Sequence, residues 1–496
     1  MFPFKTSIKF DRKSNQALYL QLSNQIIQCI KNQTLAPNTK LPGSRILAKD
    51  LNVHRKTIVA CYEELLLQGW VESIPKKGTF VLRNLPILQQ QKINSSKVIG
   101  LKKSTGFSFY KNSILSKKLT KKNDDFIYLN DGVSDSRLTP INEIARTYRR
   151  ISAKKNIFDY LSYGSTYGNA TLRNVLANYL NSTRGLNISK DNVLITRGSQ
   201  MGIWLSAQLL LQKDDIIIVG NTNYESADST FLNQHAKLVR VMVDKNGIVT
   251  DDIENLCKHQ QIKAVYVTSH HHHPTTVTLS AKRRIHLLNL AKQYNFAIIE
   301  DDYDYDFNYN HAPILPLASH DTNGNVIYIG SICKTIAPVY RIGYLIASTE
   351  FVDEASKLRG FIDRQGDALL ELTFASFIKS GDLDRHIRKV LKIYKQRRDL
   401  FCKLLKAELG SFFQFEIPKG GMAVWVKLNS NYCWETIAEI AKEYKLEIGD
   451  WQRYDSAKLN HNYIRIGFAA YNDEEIYELI NRFKKAFNDV KMLKIL

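Results

Sequence analysis

Residues 1–83 carry hydrophobic positions at the three- and four-residue spacing of helices, followed by two short β-rich runs. The pattern predicts helices over 17–36, 44–51 and about 55–67, and a hairpin over 70–82. Ser44 is placed to cap the second helix and Gly69 to end the third. Three short helices followed by a hairpin are typical of a winged helix-turn-helix domain, to which we assign residues 1–83.

Residues 126–496 alternate short runs of β-branched residues with helical patterns such as 280–294. The predicted strands are 193–196, 216–220, 238–243, 264–268, 296–300, 326–329 and 344–347. Apolar strands that alternate with helices predict an α/β fold, in which helices cover both faces of a mainly parallel sheet. After about residue 380, helices surround strands at 422–428 and 463–468, which predicts a smaller C-terminal lobe.

The stretch between these two parts, residues 84–125, is polar and basic and has no sustained period. It contains Gln89-Gln90-Gln91, Asn94-Ser95-Ser96 and lysine pairs at 102/103, 117/118 and 121/122. Such a composition cannot bury enough apolar surface to offset the entropy of ordering the chain, which predicts a flexible linker. Its lysines are either solvated or in contact with DNA phosphates.

Length and composition indicate a soluble protein with more than one domain. The 496 residues exceed the roughly 250–300 that one hydrophobic core serves, and 44% of them are hydrophobic. No apolar run is long enough to span a membrane, and the first residues do not resemble a signal peptide. The six cysteines have no paired spacing, which favours reduced thiols in a cytoplasm over disulfides or a zinc site.

Positive charge is concentrated towards the N-terminal end. Residues 1–125 contain 22 Lys/Arg against 7 Asp/Glu, a net +15 out of +21 for the chain. His54, Arg55 and Lys56 begin the third helix, where cations oppose the helix dipole by up to about 1 kcal/mol unless an anion lies opposite. The hairpin tip, residues 75–78, adds two lysines and a glycine. The phosphates of double-stranded DNA fit both groups, although a solvated basic surface has the same composition.

Several motifs of this domain support the DNA assignment: Leu18-Tyr19-Leu20-Gln21-Leu22, Leu41-Pro42-Gly43-Ser44-Arg45, Tyr62-Glu63-Glu64-Leu65 and Gly69-Trp70-Val71-Glu72. They resemble the GntR family of bacterial repressors and activators. The resemblance implies that Arg45, Arg55, Lys56, Thr57 and Gly78 approach DNA. His54 stands where a serine is common, so base preference can differ. The predicted DNA-binding residues are Arg45, His54, Arg55, Lys56, Thr57, Lys76, Lys77 and Gly78.

Residues 296–344 combine an acidic strand end with a lysine and an arginine. Asp301 follows one apolar run, Lys334 follows a second that ends at Cys333, and Arg341 comes seven residues later. Because open α/β sheets bind ligands at the carboxyl ends of their strands, Asp301 and Lys334 are predicted to meet over one crevice. A buried lysine forms a Schiff base with an aldehyde, since desolvation favours its neutral amine. Alone, Lys334 is also compatible with a surface cation, and Asp301 with a helix cap or an ion-pair partner.

A predicted anion pocket lies at the same edge. Gly198, Ser199 and Gln200 stand between a strand and a helix, whose free backbone N–H groups suit a phosphate. Ser331 and Arg341 bring a hydroxyl and a guanidinium to the pocket. A single strand-Gly-Ser-helix turn is structural at least as often as functional, so the prediction depends on the combination.

Residues 296–344 resemble the fold type I pyridoxal 5'-phosphate (PLP) enzymes, the aspartate aminotransferase superfamily. In that arrangement Lys334 forms the Schiff base with PLP, and Asp301 holds a proton on the pyridine nitrogen. Tyr303 is placed to donate to the ring hydroxyl. Tyr224 is placed to stack on the ring, although a core aromatic has the same signature.

Further motifs narrow the resemblance: Tyr163-Gly164, Gly198-Ser199-Gln200, Pro274-Thr275, Arg341-Ile342-Gly343-Tyr344 and Arg465-Ile466-Gly467-Phe468. They are similar to the MocR subfamily, GntR-type regulators whose effector domain descends from an aminotransferase. The resemblance spans nearly all of residues 126–470. It implies a head-to-tail homodimer in which Tyr163 reaches the partner subunit's cofactor phosphate. It also implies that Arg465 receives the carboxylate of an amino-acid effector.

The run from His270 to His273 departs from the family pattern. Many enzymes of the fold have asparagine immediately before the Pro-Thr pair, where it bonds the ring hydroxyl, and His273 takes that position here. An imidazole can donate from the same place, so His273 is kept as a cofactor contact. Four successive histidines are alternatively metal ligands, but no carboxylate or cysteine lies nearby in sequence, and no metal site is predicted.

Three functions are compatible with these features. The first is a PLP-dependent, DNA-binding transcriptional regulator that senses PLP or an amino compound at Lys334. The second is an active aminotransferase with an accessory DNA-binding arm, and the third is a regulator whose large domain has lost PLP. The complete set of cofactor residues disfavours the third. Regulation is favoured over the enzyme because a winged helix adds nothing to transamination.

Overall fold

The computed structural model describes residues 2–12, 14–85, 105–112, 123, 125–309, 314–332, 334–455 and 457–493. The chain divides into two compact units, Met1–Tyr110 and Lys111–Leu496. Most of the predicted linker, with its lysine pairs, lies outside the described residues, as does Cys333. The domain bounds 1–83, 84–125 and 126–496 stay predictions.

The described part of the first unit forms helices α1 Phe4–Ser7, α2 Leu18–Lys31, α3 Ser44–Leu51 and α4 Arg55–Leu67, and antiparallel strands β1 Val71–Ile74 and β2 Gly78–Val81. One apolar core joins them, in which Leu22, Ile26, Leu47 and Ile58 are fully buried. Each helix buries one face, as the spacing of its apolar residues requires. The predicted winged helix-turn-helix is confirmed.

Three details of this unit differ from the sequence prediction. Helix α1 is absent from the prediction because it is a single turn, which the burial of Phe4 and Ile8 stabilises rather than its local propensity. Helix α2 ends at Lys31, before the predicted end at 36. Ser44 is the first residue of α3, and Gly43 holds the cap position without a side-chain hydrogen bond.

The described part of the second unit contains helices α5 Ile141–Ser152, α6 Ala170–Arg184, α7 Ser199–Leu210, α8 Glu225–Asn233, α9 Thr250–Cys257, α10 Ala281–Tyr294, α11 Thr349–Ile362, α12 Ala368–Lys379, α13 Asp382–Leu409, α14 Trp434–Glu443 and α15 Asp473–Leu493. Its strands are β3 Ile127–Tyr128, β4 Val193–Thr196, β5 Ile216–Gly220, β6 Lys237–Val241, β7 Val243–Asp244, β8 Gly247–Ile248, β9 Ile262–Val267, β10 Ala297–Asp302, β11 Val326–Ser331, β12 Gly343–Ile346, β13 Phe413–Phe415, β14 Ala423–Leu428, β15 Leu446–Glu447 and β16 Tyr463–Gly467.

In the described residues, seven of these strands form one sheet in the order β4-β12-β11-β10-β9-β5-β6. Strand β12 runs antiparallel to its neighbours β11 and β4, whereas the other pairs are parallel. Strands β10 and β11 are buried along almost their whole length, as expected for a sheet covered on both faces. The predicted α/β fold with a mainly parallel sheet is confirmed.

A smaller lobe follows the sheet, as the sequence predicts. Strands β13, β14 and β16 form an antiparallel sheet that packs with α13, α14 and α15 around one apolar cluster. Phe401, Met422, Val424 and Phe483 are fully buried there. Strand β3 pairs with β15, which places the first residues of the unit beside this lobe.

Two expectations from composition can be compared with the described ranges. No helix within them is both long enough and apolar enough to cross a lipid bilayer. The thiols of Cys29, Cys61, Cys257, Cys402 and Cys433 are free, as the lack of paired spacing predicts.

Candidate functional site

Strands β10 and β11 bring Asp301 and Lys334 to the same edge of the large sheet. The strands are parallel, with Asp301 opposite Ile329, so their carboxyl ends lie side by side. Lys334 follows the end of β11, and its Nζ donates a hydrogen bond of 3.0 Å to the carbonyl oxygen of Gly132. The same nitrogen lies 5.1 Å from the ring centre of Tyr303. The structure therefore brings both residues to the carboxyl ends of neighbouring strands.

The surroundings of Lys334 favour its neutral amine. Burial lowers the pKa of Lys334, the carboxylate of Asp131 opposes this, and the guanidinium of Arg465 lowers the pKa further. A neutral amine is the form that attacks an aldehyde. The environment thus suits the chemistry predicted for this lysine.

Asp301 has one oxygen in use and one without a protein partner. The hydroxyl of Tyr266 on β9 donates a 2.8 Å hydrogen bond to Asp301 Oδ2. Oδ1 is buried and has no hydrogen-bond partner within the described part of the chain. Burial raises the pKa of Asp301 to about 7, and the neighbouring charge of Asp302 adds to this rise against the bond from Tyr266. A protonated ring nitrogen would satisfy Oδ1 and restore the carboxylate, so these residues fit the pyridine ring of PLP.

Tyr224 and His273 are close to Tyr303, since the ring centres of His273 and Tyr303 are 6.3 Å apart. Their rings meet edge to face with 5.2 Å between centres. His273 Nε2 lies 3.5 Å from Asp131 Oδ2, whereas its Nδ1 is buried without a partner. Burial lowers the pKa of His273 to about 4, so the imidazole is neutral at pH 7. His273 is thus positioned as a hydrogen-bonding group with one ring nitrogen available.

Tyr303 and Arg465 are brought together, but both are already engaged with the protein. The Tyr303 hydroxyl donates to the His271 carbonyl oxygen at 2.9 Å and accepts from Arg465 Nη2 at 3.3 Å. Arg465 Nε and Nη1 donate to the carbonyl oxygens of Asp131 and Pro274. The N–H groups of Arg465 that make none of these bonds are available to donate hydrogen bonds to a carboxylate. Tyr303 must give up its bond to His271 before its hydroxyl can donate to a ring hydroxyl.

The predicted anion pocket forms at the start of α7. Gly198 holds the cap position with φ +81 and no side-chain cap. Arg341 Nη2 donates to the Arg197 carbonyl oxygen at 2.5 Å, and a Cβ built on Gly198 would lie 2.7 Å from this nitrogen. Ser199 is the first residue of α7. The helix N-terminus, the glycine and the guanidinium therefore converge, as phosphate binding requires.

Two predicted pocket residues have side chains that bond elsewhere. Gln200 Nε2 donates to Thr230 Oγ1 at 2.8 Å, which ties this side chain to α8. Ser331 Oγ donates to the Ile342 carbonyl oxygen at 3.3 Å. Gln200 can therefore contribute to an anion only through its backbone N–H, and the Ser331 hydroxyl must give up its bond to Ile342 before it can donate to an anion.

Tyr163 lies apart from the crevice of its own chain. Its side chain is exposed, and the guanidinium of Arg364 lies 4.2 Å from the ring centre. No contact joins it to Lys334 or Asp301 in the described residues. This outward position is compatible with the predicted contact to a partner subunit.

The four histidines contact separate groups. His270 Nδ1 lies 3.2 Å from Asp302 and His271 Nδ1 lies 2.9 Å from Asp304, while His272 Nδ1 contacts Thr275 Oγ1 at 2.9 Å. The fold thus brings carboxylates to the run that are distant in sequence. In the described part of the chain, the side chains that could share one metal ion are Asp251, Glu254 and His286 instead. Lys258 pairs with Glu254 at 3.0 Å, so we assign no ion there.

The predicted DNA-binding residues occupy the starts of α3 and α4 and the hairpin tip. Arg45, His54, Arg55, Lys56, Lys76, Lys77 and Gly78 are exposed, and Thr57 is half-buried. His54 Nδ1 caps α4 by accepting from the Lys56 backbone N–H at 3.2 Å. Arg55 Nε lies 3.4 Å from Ser44 Oγ, so the two helix starts adjoin. Gly78 has φ +117, a conformation that glycine adopts without strain.

Three residues of the crevice are absent from the sequence prediction. They are Asp131, Tyr266 and Arg453. Asp131 Oδ2 lies 3.5 Å from His273 Nε2 and 3.5 Å from Arg453 Nη2, and the Tyr266 hydroxyl donates a hydrogen bond to Asp301. Burial opposes the ionisation of Asp131, but its hydrogen bond with His273 and the nearby Lys334 and Arg453 hold the pKa of Asp131 below its usual range. The turn Asn130-Asp131-Gly132 and a tyrosine inside an apolar strand are the only sequence signals for them.

The two parts of the chain match two different families. Residues 125–483 match the family described as aminotransferase class I and II. Residues 18–81 match bacterial regulatory proteins of the gntR family. The two matches lie on the second and the first unit, respectively.

Similar proteins share one or both parts. The chain is 28% identical over 467 residues to the uncharacterized HTH-type transcriptional regulator YdfD of Bacillus subtilis, covering 93% of this chain and 95% of that one. It is 24% identical over 477 residues to the probable rhizopine catabolism regulatory protein MocR of Rhizobium meliloti, covering 96% and 95%. A crystal structure of Pyrococcus horikoshii kynurenine aminotransferase in complex with PMP matches with a TM-score of 0.71 and 25% identity, covering 77% of this chain and 97% of that chain.

Proposed function

We propose that this chain, which belongs to the aminotransferase class I and II family and carries a GntR-type DNA-binding domain, is a PLP-dependent transcriptional regulator of the MocR type. Residues 1–83 bind double-stranded DNA, and residues 126–496 bind PLP and a small amino compound. The proposal rests on one observation above all: a helix-turn-helix unit is joined to a unit that brings Lys334 and a half-satisfied Asp301 to one end of its large sheet. Regulation then requires that ligand binding in the second unit changes the DNA affinity of the first.

Each residue of the crevice is assigned to a different part of PLP. When bound, PLP supplies an aldehyde that bonds to a lysine amine and a ring that withdraws electrons. Lys334 provides the amine, whose pKa burial lowers. Asp301 holds a proton on the ring nitrogen through its Oδ1, and His273 offers Nδ1 to the ring hydroxyl side. Tyr224, whose ring meets that of His273, would stack on the ring of PLP.

Phosphate and effector are assigned to the two arginine-bearing ends of the crevice. The start of α7 and Arg341 bind the phosphate, with support from Gly198, Ser199 and Gln200. Arg465 binds the carboxylate of an amino-acid effector through the protons that Asp131 and Pro274 leave available. The effector is therefore an amine that also carries an anionic group.

A homodimer completes this arrangement. Tyr163 and Phe361 are 77% and 91% exposed, and Phe158 and Leu161 are also exposed close to Tyr163 in sequence. Arg364 over the Tyr163 ring joins the segments around 163 and 361 into one surface. Exposed apolar surface of this kind marks contacts between proteins. We assign this surface to a second copy, in which Tyr163 reaches the phosphate of the partner's PLP.

The test begins with the cofactor. Incubation of the purified chain with PLP is expected to produce a visible absorbance band, which borohydride converts into a stable adduct on the peptide containing Lys334. Lys334→Ala is expected to lose both the band and the adduct. A labelled peptide elsewhere, or no band in the native chain, would contradict the proposed cofactor site.

The second part of the test concerns DNA. The chain is expected to protect a segment of its target promoter from nuclease, and PLP or an amino acid is expected to change the protection. Arg55→Ala is expected to weaken promoter binding roughly tenfold or more and to leave the absorbance band intact, because residue 55 belongs to the first unit. Rapid transamination over many turnovers without any DNA protection would instead support an aminotransferase.

A further inference from the structure

Residues 2–12 form an arm that is part of the DNA-binding unit although it precedes the gntR match at 18–81. Phe4 and Ile8 are 5% and 6% exposed and belong to the same apolar core as Leu22 and Leu47. Helix α1, which carries Phe4, packs against α3, the first helix of the helix-turn-helix. The arm is therefore anchored at the DNA-binding helices.

Two glutamines of α2 fix the course of the arm after α1. Gln25 accepts from the Lys9 backbone N–H at 2.9 Å and donates to the Lys9 carbonyl oxygen at 2.7 Å. Gln21 makes the same pair of bonds to Asp11, each at 3.0 Å. A side-chain amide that bonds both groups of one residue holds that peptide as a neighbouring strand would. The position of the next residue, Arg12, is thus set by the fold.

Arg12 is directed to the turn of the helix-turn-helix. Its Nη2 lies 3.4 Å from the carbonyl oxygen of Asn52, the left-handed residue between α3 and α4. His54, two residues later, caps α4 at the end that carries Arg55 and Lys56. The Arg12 side chain is exposed, and its N–H donors beyond the one bonded to Asn52 have no acceptor within the described residues. A cation is therefore held beside the N-terminus of the helix assigned to the DNA groove.

We propose that Arg12 is a further DNA-binding residue, which contacts a backbone phosphate beside the groove that α4 enters. The proposal rests on the proposed DNA-binding function and extends its surface to the arm, residues 2–12. Guanidinium groups suit phosphate oxygens, and such contacts fix orientation without reading sequence. The arm then aligns α4 in the groove, and Gln21 and Gln25 act as positioning residues for Arg12.

The experiment measures how DNA affinity depends on salt concentration, because this dependence reports the number of phosphate contacts. The full chain is titrated with a fluorescent duplex of random sequence at several salt concentrations. Each phosphate contact contributes about 0.9 to the slope of log affinity against log salt. Arg12→Gln is expected to reduce the slope by about 1 and the affinity roughly three- to tenfold. Arg12→Lys, which keeps the charge, is expected to keep the slope.

Lys258→Gln is the matched control, since it removes one exposed cation at the end of α9 in the other unit and should leave slope and affinity unchanged. Thermal unfolding of each variant checks that the first unit remains folded. Arg12→Gln with the native slope overturns the proposal, whether its affinity is native or reduced, because Arg12 then only supports the turn. If the native chain shows no salt-dependent binding to any duplex, the proposed DNA-binding function itself fails.

Discussion

At the scale of single residues, the crevice shows how one strand gives neighbouring carboxyl groups opposite character. Asp301 and Asp302 are consecutive on β10, so they point to opposite faces of the sheet. Among the described residues, the Tyr266 hydroxyl donates the one hydrogen bond to the Asp301 carboxyl, and burial raises the pKa of Asp301 to about 7. Burial also acts on Asp302, but His270, Tyr328 and Arg184 hold the pKa of Asp302 below its usual value. The Asp301 carboxyl is therefore available to bind a ligand, whereas the Asp302 carboxylate stabilises the fold.

The Asp301 carboxyl gives a prediction for the PLP-free protein. Its pKa rises from 3.8 to about 7 on folding, so the folded state holds a proton that the unfolded state loses between these values. Wild-type stability therefore falls as the pH rises from about 4 to about 7. Asp301→Asn cannot ionise and should be more stable than wild type above pH 7, by roughly 2 kcal/mol or more at about 1.4 kcal/mol per pKa unit. Thermal unfolding across this pH range measures the difference.

Asp302→Asn is the matched control for this prediction. Because the folded pKa of Asp302 is depressed, its carboxylate contributes stability above the unfolded value of 3.8 that is lost as the pH falls below it. Asp302→Asn is therefore expected to be less stable than wild type at neutral pH. If both variants change stability in the same direction at pH 8, the assignment of the two environments is wrong.

At the scale of elements, both proposed anion sites use the start of a helix. Helix α4 opens with Arg55 and Lys56 and has no acid in its first turn, an arrangement that opposes its own dipole. Helix α7 opens after Gly198 with no side-chain cap. Each N-terminus gains stability from an anion outside the helix, a DNA phosphate for α4 and the PLP phosphate for α7.

A change at Gly198 tests the second of these sites. A Cβ at this position would lie 2.7 Å from Arg341 Nη2 and would meet a φ of +81, so Gly198→Ala must displace the guanidinium. PLP affinity is expected to fall roughly tenfold or more, or about 1.4 kcal/mol or more. Affinity for pyridoxal, which has no phosphate, is expected to change little. Absorbance titrations with both compounds give the two dissociation constants.

Gly324→Ala separates the clash from the backbone strain. Gly324 also has a positive φ, of +78, but no atom lies within 4 Å of a Cβ built there. This variant should bind PLP as wild type does. Equal losses of PLP and pyridoxal binding in Gly198→Ala would show that α7 does not hold the phosphate.

At the scale of the whole molecule, the proposed regulator depends on two copies of the chain. A bacterial operator read by a pair of helix-turn-helix units contains two half-sites, because the symmetry of the protein is repeated in the DNA. The surface around Tyr163 and Phe361 is the part of the second unit assigned to this contact. Dimerisation would then affect both DNA affinity and PLP binding.

Phe361→Glu tests this assembly. A carboxylate at a residue that is 91% exposed costs little in the monomer but opposes burial against a second copy. The variant is expected to shift the mass measured by light scattering from dimer to monomer and to weaken PLP binding together with it. Ile285→Glu, at a 60% exposed position on α10, is the control and should remain dimeric. A monomeric wild-type chain at all concentrations would contradict the homodimer.

The sequence alone determined the kinds of elements and their order. The spacing of apolar residues predicts strands β4 and β5 and helix α4 at the positions where the structure has them, because this spacing shows which face of each element is buried. Motifs within a few residues of one another, such as Gly198-Ser199, likewise indicated the starts of helices. Helix α1 and the early end of α2 escaped prediction because tertiary packing, and not local propensity, decides them.

The tertiary structure decided which distant groups share one site. Gly132 and Lys334 are 202 residues apart in sequence, yet the carbonyl oxygen of one accepts from the amine of the other. The pairing of His273 with Asp131 and of Asp301 with Tyr266 has the same origin. Periodicity contains no information on these contacts, because strand order and the packing of the small lobe determine them. Those contacts also set the pKa values, since burial and neighbouring charge arise only when the chain is folded.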